Sequence, residues 1–216
     1  MFPLGDESHA QRSTPLATIS LIILSCLGFA LELHEGDGFI LRWSLIPAHI
    51  VAGQDLSTIV SSMFLHGSWS HILGNMIYFW AFAPPLEDQL GSVRLLLFYF
   101  LGGAIAMGAQ IAGDPSSTVP CLGASGAIAA VMGGFLVTFP RDRIRTVVFL
   151  GFYARIAFVP ALILIGFWFV LQLISVGSVS GADTQGGVAY LAHIGGFIFG
   201  AATIRLFWMG RGKPGD

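Results

Sequence analysis

The stretch GASGAIAAVMGGF, residues 123–135, decides how this chain is read. It is strongly apolar, sets glycines where a helix prefers alanine, and carries one hydroxyl, Ser125. The apolar run stops at Pro140, and Arg141 follows. As a helix from Ala124 to Pro140 it would cover only about 24 Å, against a hydrocarbon core of about 30 Å. Such a helix cannot reach both membrane faces. With Arg141 held at one surface, the end bearing Ser125 must lie several ångströms below the other. The segment before it, STVPCLG, then dips into the membrane, which irregular backbone tolerates only beside protein or a water-filled cavity. A serine in a membrane helix is usually a small residue that eases helix contact or bonds back to its own backbone. Here it is also a candidate nucleophile.

The rest of the composition supports a bilayer setting. Of 216 residues, 55% are hydrophobic and 10% charged, with a mean hydropathy of +0.78. Ordinary soluble domains carry about 25% charge. A net charge of −2 offers no basic face for nucleic acid. Cys26 and Cys121 match no metal-ligand spacing and read as packing residues. No metal or cofactor is expected.

Six apolar segments are candidate spans: Ala17–Leu33, His71–Pro85, Leu95–Ala112, Ala124–Pro140, Pro160–Val176 and Val188–Met209. The expected fold is therefore an all-α, multi-pass bundle with a short, sunken fourth helix. Residues 1–16 form an N-terminal segment, 17–209 the membrane domain and 210–216 a tail. The first run lacks a small-x-small cleavage site and reads as a retained span. TVVFLGFYARIAFVP, too short to cross twice, reads as an interfacial hairpin. With the N-terminus cytoplasmic, the inner segments hold nine basic residues (Arg12, Arg94, Arg141, Arg143, Arg145, Arg155, Arg205, Arg211 and Lys213) and the outer ones only Arg42. That bias puts both termini in the cytoplasm and segments 34–70, 113–123 and 177–187 outside. In the first outer segment, FILRWSLIPAHIV reads either as an interfacial covering loop or as a surface that meets substrate.

Polar groups inside spans are costly and mark candidate sites. The second span offers His71 and Asn75, four apart on one helical face, with His66 above them. The fourth offers Ser125 and the sixth His193. His193 lies five residues into its span, about 8 Å deep, close to the depth of the sunken Ser125. Ser125, Ala129 and Gly133 form one small-residue stripe, and Ala189, His193, Gly196 and Gly200 another, so the two helices can approach closely. Ser125 in a first helical turn would sit beside unpaired backbone N–H groups suited to an oxyanion, with His71 and Asn75 as further donors.

These motifs resemble those of the rhomboid family of intramembrane serine proteases. HGSWSHILGN is similar to H-x4-H-x3-N, GASG to G-x-S-G, and AHIGGFIFG to A-H-x2-G-x3-G, in the family's order, and PPLEDQLG puts Glu87 at its acidic position. The resemblance implies a nucleophile at Ser125 and a base at His193. It implies oxyanion support from His71, Asn75 and Gly123, and packing support from His66, Gly126, Gly196 and Gly200. It further implies cleavage of single-span membrane proteins near the outer face, in a helix-poor segment with a small residue before the cut. The chain would be an integral protein, of a prokaryotic cytoplasmic membrane, whose partners are those substrates and the bilayer. Four positions depart from the family: Ser57 and Thr58 stand where Trp-Arg is frequent, Ala129 where an aromatic residue stacks on the histidine, and Ala83 where glycine is common.

The alternatives fit less well. A silent, client-escorting member would have lost the serine or histidine. A transporter would gather its polar groups at mid-membrane, and LHEG lacks the second histidine of H-E-x-x-H. Among twelve acidic residues only Glu32 lies among apolar neighbours, at a helix end where its carboxylate would reach the interface. The expected machinery is thus a dyad with no carboxylate partner.

Overall fold

The computed structural model describes residues 1–8, 11–150, 153–178 and 189–208. In chain order the elements are β1 (Phe2–Asp6), α1 (Leu16–Glu35), α2 (Asp37–Trp43), α3 (Pro47–Val51), α4 (Thr58–Ser61), α5 (Trp69–Leu90), α6 (Ser92–Gly113), α7 (Ser125–Thr138), β2 (Arg143–Leu150), β3 (Tyr153–Pro160), α8 (Ala161–Ser178) and α9 (Tyr190–Thr203). A 3₁₀ turn, Ile204–Phe207, continues α9. The expected tail 210–216, most of the outer segment 177–187 and the ends of the sixth span at Val188 and Met209 lie outside the described residues.

Among the described residues three stretches are long and apolar enough to cross a membrane: Leu16–Glu35, Ser92–Gly113 and Tyr190–Phe207. The helices Ser125–Thr138 and Ala161–Val176 are apolar but shorter. Leucine, isoleucine and phenylalanine on α1, α6 and α8 face outward, the pattern of a protein whose solvent is lipid. Small residues and aromatics fill the interior, with Phe79, Phe82, Phe98, Tyr99 and Phe135 fully buried around α7. Cys26, expected among packing residues, is exposed on α1.

Buried carboxylates fix two helix ends. Glu87 of α5 accepts from the backbone N–H of Ala17 and Thr18 at 2.8 and 2.9 Å, from the Thr18 hydroxyl at 2.7 Å and from Ser92 at 2.6 Å. It thereby satisfies the open first turn of α1, which has no side-chain cap of its own. Asp88 accepts from the backbone N–H of Arg12 and Ser13 just upstream. At the other end of α1, Glu32 does not reach the interface as expected. It is buried and accepts from the N–H of His66 and Gly67, at 2.8 Å each.

Several helix boundaries differ from the sequence reading. α5 begins at Trp69, because Ser68 caps it by accepting the His71 N–H at 3.2 Å, and it runs through Pro84 and Pro85 to Leu90. α7 ends at Thr138 and not at Pro140, since the residue before a proline disfavours helical backbone.

The all-α expectation is corrected at the hairpin. β2 and β3 pair antiparallel from Arg143↔Pro160 to Leu150↔Tyr153, and β1 adds a third strand with Phe2 opposite Val147 and Asp6 opposite Ile144. Clustered valine, isoleucine, phenylalanine and tyrosine favour strand in this linker, which is where the hairpin was expected. The strand at residues 2–6 has no signal of its own, because its order comes from the edge of β2.

Candidate active site

α7 and α9 meet through glycine. A Cβ at Gly196 would overlap the carbonyl oxygen of Gly126, and one at Gly200 that of Ala130, both well under the 3.0 Å that such contacts keep. A Cβ at Gly133 would likewise overlap the Phe197 carbonyl. The seam on α7 therefore keeps Gly133 of the expected stripe and runs through Gly126 and Ala130 in place of Ser125 and Ala129. The shift leaves Ser125 at the seam's margin, where its side chain is free to bond. Its Oγ lies 2.7 Å from His193 Nε2. Ser125 is half-buried and is the first residue of α7, whose first-turn N–H groups have no acceptor within the helix.

The loop before Ser125 is tied by backbone hydrogen bonds to the segment between α2 and α5. Leu45 and Cys121 exchange two backbone hydrogen bonds, 2.9 and 2.7 Å, Ala48 N–H donates to Ser117 O at 3.0 Å, and Gly123 N–H donates to Ser62 O at 2.8 Å. These bonds satisfy backbone groups that lie outside helices and strands. They also engage the N–H of Gly123. Its φ is +125°, and a Cβ there would stand 2.7 Å from His71 Nε2 and 3.7 Å from Asn75 Nδ2. Those two side chains thus converge on the Gly123 backbone, and Asn75 Nδ2 is buried with no acceptor. His66, fully buried, sits above them with its ring edge-on to His71 at 5.3 Å. It belongs to the loop before α5. Burial, with His71 beside it, holds His66 down at about 4 from its ordinary 6.5.

Two residues of α8 that the sequence reading passed over complete the environment of His193. Gln172 Oε1 lies 2.8 Å from His193 Nδ1, on the opposite side of the ring from Ser125. Trp168 packs against the same ring at 5.8 Å between centroids and 38° between planes. A signal existed, for Gln172 is the one amide side chain in the segment 160–176, and a polar group within a span marks a candidate site. Among the described residues no acidic side chain bonds to His193, and no group of three His, Cys, Asp or Glu could hold a metal ion.

Comparison with known proteins fits this arrangement. The rhomboid domain family model matches residues 53–210, a span that contains Ser125, His193, His71 and Asn75. The chain belongs to the rhomboid family. A protein named rhomboid protease GlpG from Yersinia enterocolitica is 27% identical over 202 residues, covering 94% of this chain and 65% of its own length. Its namesake from Yersinia pestis is 25% identical over the same shares. The chain thus spans 65% of the length of these relatives. Within the rhomboid frame, the family's frequent aromatic residue on the fourth span is absent at Ala129, and the ring against the histidine comes instead from Trp168 on α8. The frequent Trp-Arg pair is absent at Ser57 and Thr58. There the Thr58 hydroxyl donates to Asp55 O at 2.7 Å, Ser61 to Trp43 O at 2.8 Å, and Arg42 stacks on Trp43.

Proposed function

We propose that this rhomboid protein is an intramembrane serine endopeptidase whose chemistry is carried by Ser125 and His193. The observation behind the reading is the 2.7 Å approach of Ser125 Oγ to His193 Nε2 beside two side-chain donors. In this mechanism His193 Nε2 takes the hydroxyl proton as Oγ attacks a peptide carbonyl. The negative charge that develops on the carbonyl oxygen accepts hydrogen bonds from Asn75 Nδ2, the His71 ring N–H and the first-turn N–H groups of α7. His193 then returns the proton to the departing amine, and a water, activated by the same nitrogen, hydrolyses the acyl ester. No carboxylate takes part.

The topology proposed with it has six spans, α1, α5, α6, α7, α8 and α9 with its 3₁₀ extension. The N-terminus is cytoplasmic and the site lies below the outer face. α7, at 14 residues, covers about 21 Å, so Ser125 is sunken and the outer segment 36–64 roofs it. Substrates would be single-span proteins whose helix unwinds locally near that face, because a hydrogen-bonded helix shields its carbonyls.

The test is purified protein in lipid with a panel of single-span substrates, beside Ser125→Ala and His193→Ala. Cleavage that both variants lose while keeping the wild-type melting profile supports the reading. Cleavage that persists in either variant refutes the assignment, and folded wild-type protein that binds but never cuts favours a client-binding role.

A further inference from the structure

The chemistry above leaves open what holds the His193 ring with a bare nitrogen toward Ser125. Imidazole has two neutral tautomers, and only the one protonated at Nδ1 presents a lone pair at Nε2. The other would donate from Nε2 and could not accept the serine proton. In serine hydrolases with a triad, a carboxylate selects the tautomer. Here Gln172 Oε1 occupies that side of the ring, 2.8 Å from Nδ1.

An amide could in principle face the ring with either end, and its second hydrogen bond decides which. Gln172 Nε2 lies 3.3 Å from the backbone carbonyl oxygen of Trp168, one turn back on α8. A carbonyl oxygen only accepts, so the NH₂ end must point to Trp168 and the oxygen must point to His193. An oxygen there only accepts as well, so His193 carries its proton on Nδ1. Gln172 and His193 are both buried, at 8% exposure each, where an unpartnered ring N–H would be costly. Trp168 restricts rotation of the ring from its face. We propose that Gln172 is a positioning residue: its amide, locked by the Trp168 carbonyl, fixes the orientation and tautomer of His193 in the place of a triad carboxylate. The proposal rests on the reading of His193 as the base.

Two measurements test it. For Gln172→Leu, similar in size but with no acceptor, kcat should fall about 10–100-fold, as when the partner orienting a functional histidine is lost. KM should change little, because Gln172 lies behind the ring, away from Ser125. Gln172→Glu, whose carboxylate accepts at the same atom but cannot donate to the Trp168 carbonyl, should recover part of the lost turnover. The second measurement is ¹⁵N NMR of histidine-labelled protein in micelles, in a Ser125→Ala background, with His193 assigned by loss of its signals in His193→Asn. It should show one tautomer, protonated at Nδ1, with Gln172 intact and a mixture in Gln172→Leu. The spectrum does not depend on turnover, so it remains decisive if the protease reading fails. Wild-type kcat in Gln172→Leu overturns the proposal. So does a loss of turnover with the tautomer unchanged, which would reduce Gln172 to packing. A Gln172→Glu variant that folds and holds the Nδ1–H tautomer but stays as impaired as Gln172→Leu overturns it too.

Discussion

Adding a single methyl group at Gly196 probes the link between packing and chemistry most directly. The added Cβ would overlap the Gly126 carbonyl oxygen and also meet Ala106 Cβ at 3.3 Å. The first obstacle is backbone and cannot rotate away, so α9 must retreat from α7 by on the order of 1 Å in an interior packed like a crystal. Overpacking of this kind costs about 1–3 kcal/mol, and contact with a backbone atom belongs at the upper end. Alanine returns about 1 kcal/mol of helix propensity, leaving a net loss of about 2 kcal/mol. For a chain of this size that lowers the melting midpoint by roughly 4–8 °C. Activity should fall further than stability. Gly196 is one turn from His193 on the same seam, and a 1 Å misplacement of reacting groups costs about 10²-fold. The matching control is Gly108→Ala on exposed α6 surface, where a Cβ meets nothing within 4 Å. It should leave turnover unchanged and gain up to about 1 kcal/mol. The assay is cleavage of one single-span substrate in lipid alongside thermal scans at a fixed rate. A Gly196→Ala protein with the midpoint and turnover of wild type would refute the reasoning.

Other outcomes follow from the same geometry. Asn75→Ala should lower kcat about 10²–10³-fold with little change in melting; a parallel loss of stability would make Asn75 a packing residue. Glu32→Gln exchanges a carboxylate that accepts two N–H bonds for an amide that can accept at only one end. Thermal scans should register a loss of about 1.5–3 kcal/mol, with turnover at the permissive temperature within a few-fold of wild type; a collapse of turnover there would give Glu32 a place in the chemistry. His66 gives a pH signature, since its folded value of about 4 lies below its ordinary 6.5. Between those values the unfolded chain takes up a proton that the folded chain refuses, so stability falls as pH is lowered from 6.5 to 4, by about 3 kcal/mol in all. His66→Phe should flatten that slope in melting scans taken across the window, and an unchanged slope would assign it to other groups. Asp114→Asn should leave turnover within a few-fold, whereas a loss near 10⁴ would reveal a triad acid.

The sequence by itself carried the family, the membrane setting and the residues that gather at the site. Each rests on local information. Apolar length reports on the bilayer, an i, i+4 pair reports on one helix face, and glycines at helical spacing report on close approach. It also located the hairpin, at residues 146–160, though not its strand character or the third strand at residues 2–6, whose pairing is with residues more than a hundred positions away. Gly133, Gly196 and Gly200 were legible in the sequence, but only the tertiary structure put Gly126 and Ala130, and not Ser125 and Ala129, in the seam. A stripe one residue to either side reads equally well in the sequence, and the carbonyl that a Cβ would strike belongs to another helix. Tertiary structure also decided the fate of Glu32, because the N–H groups it accepts from, those of His66 and Gly67, come near it only once α1 and the loop before α5 are packed. The same holds for the surroundings of His193. Ala129 leaves a gap that the local motif cannot fill, and Trp168 and Gln172 fill it from α8, across a stretch of chain whose spacing encodes no contact. Hydrogen-bond partners of a buried ring are set by what packs against it, and that is a property of the fold.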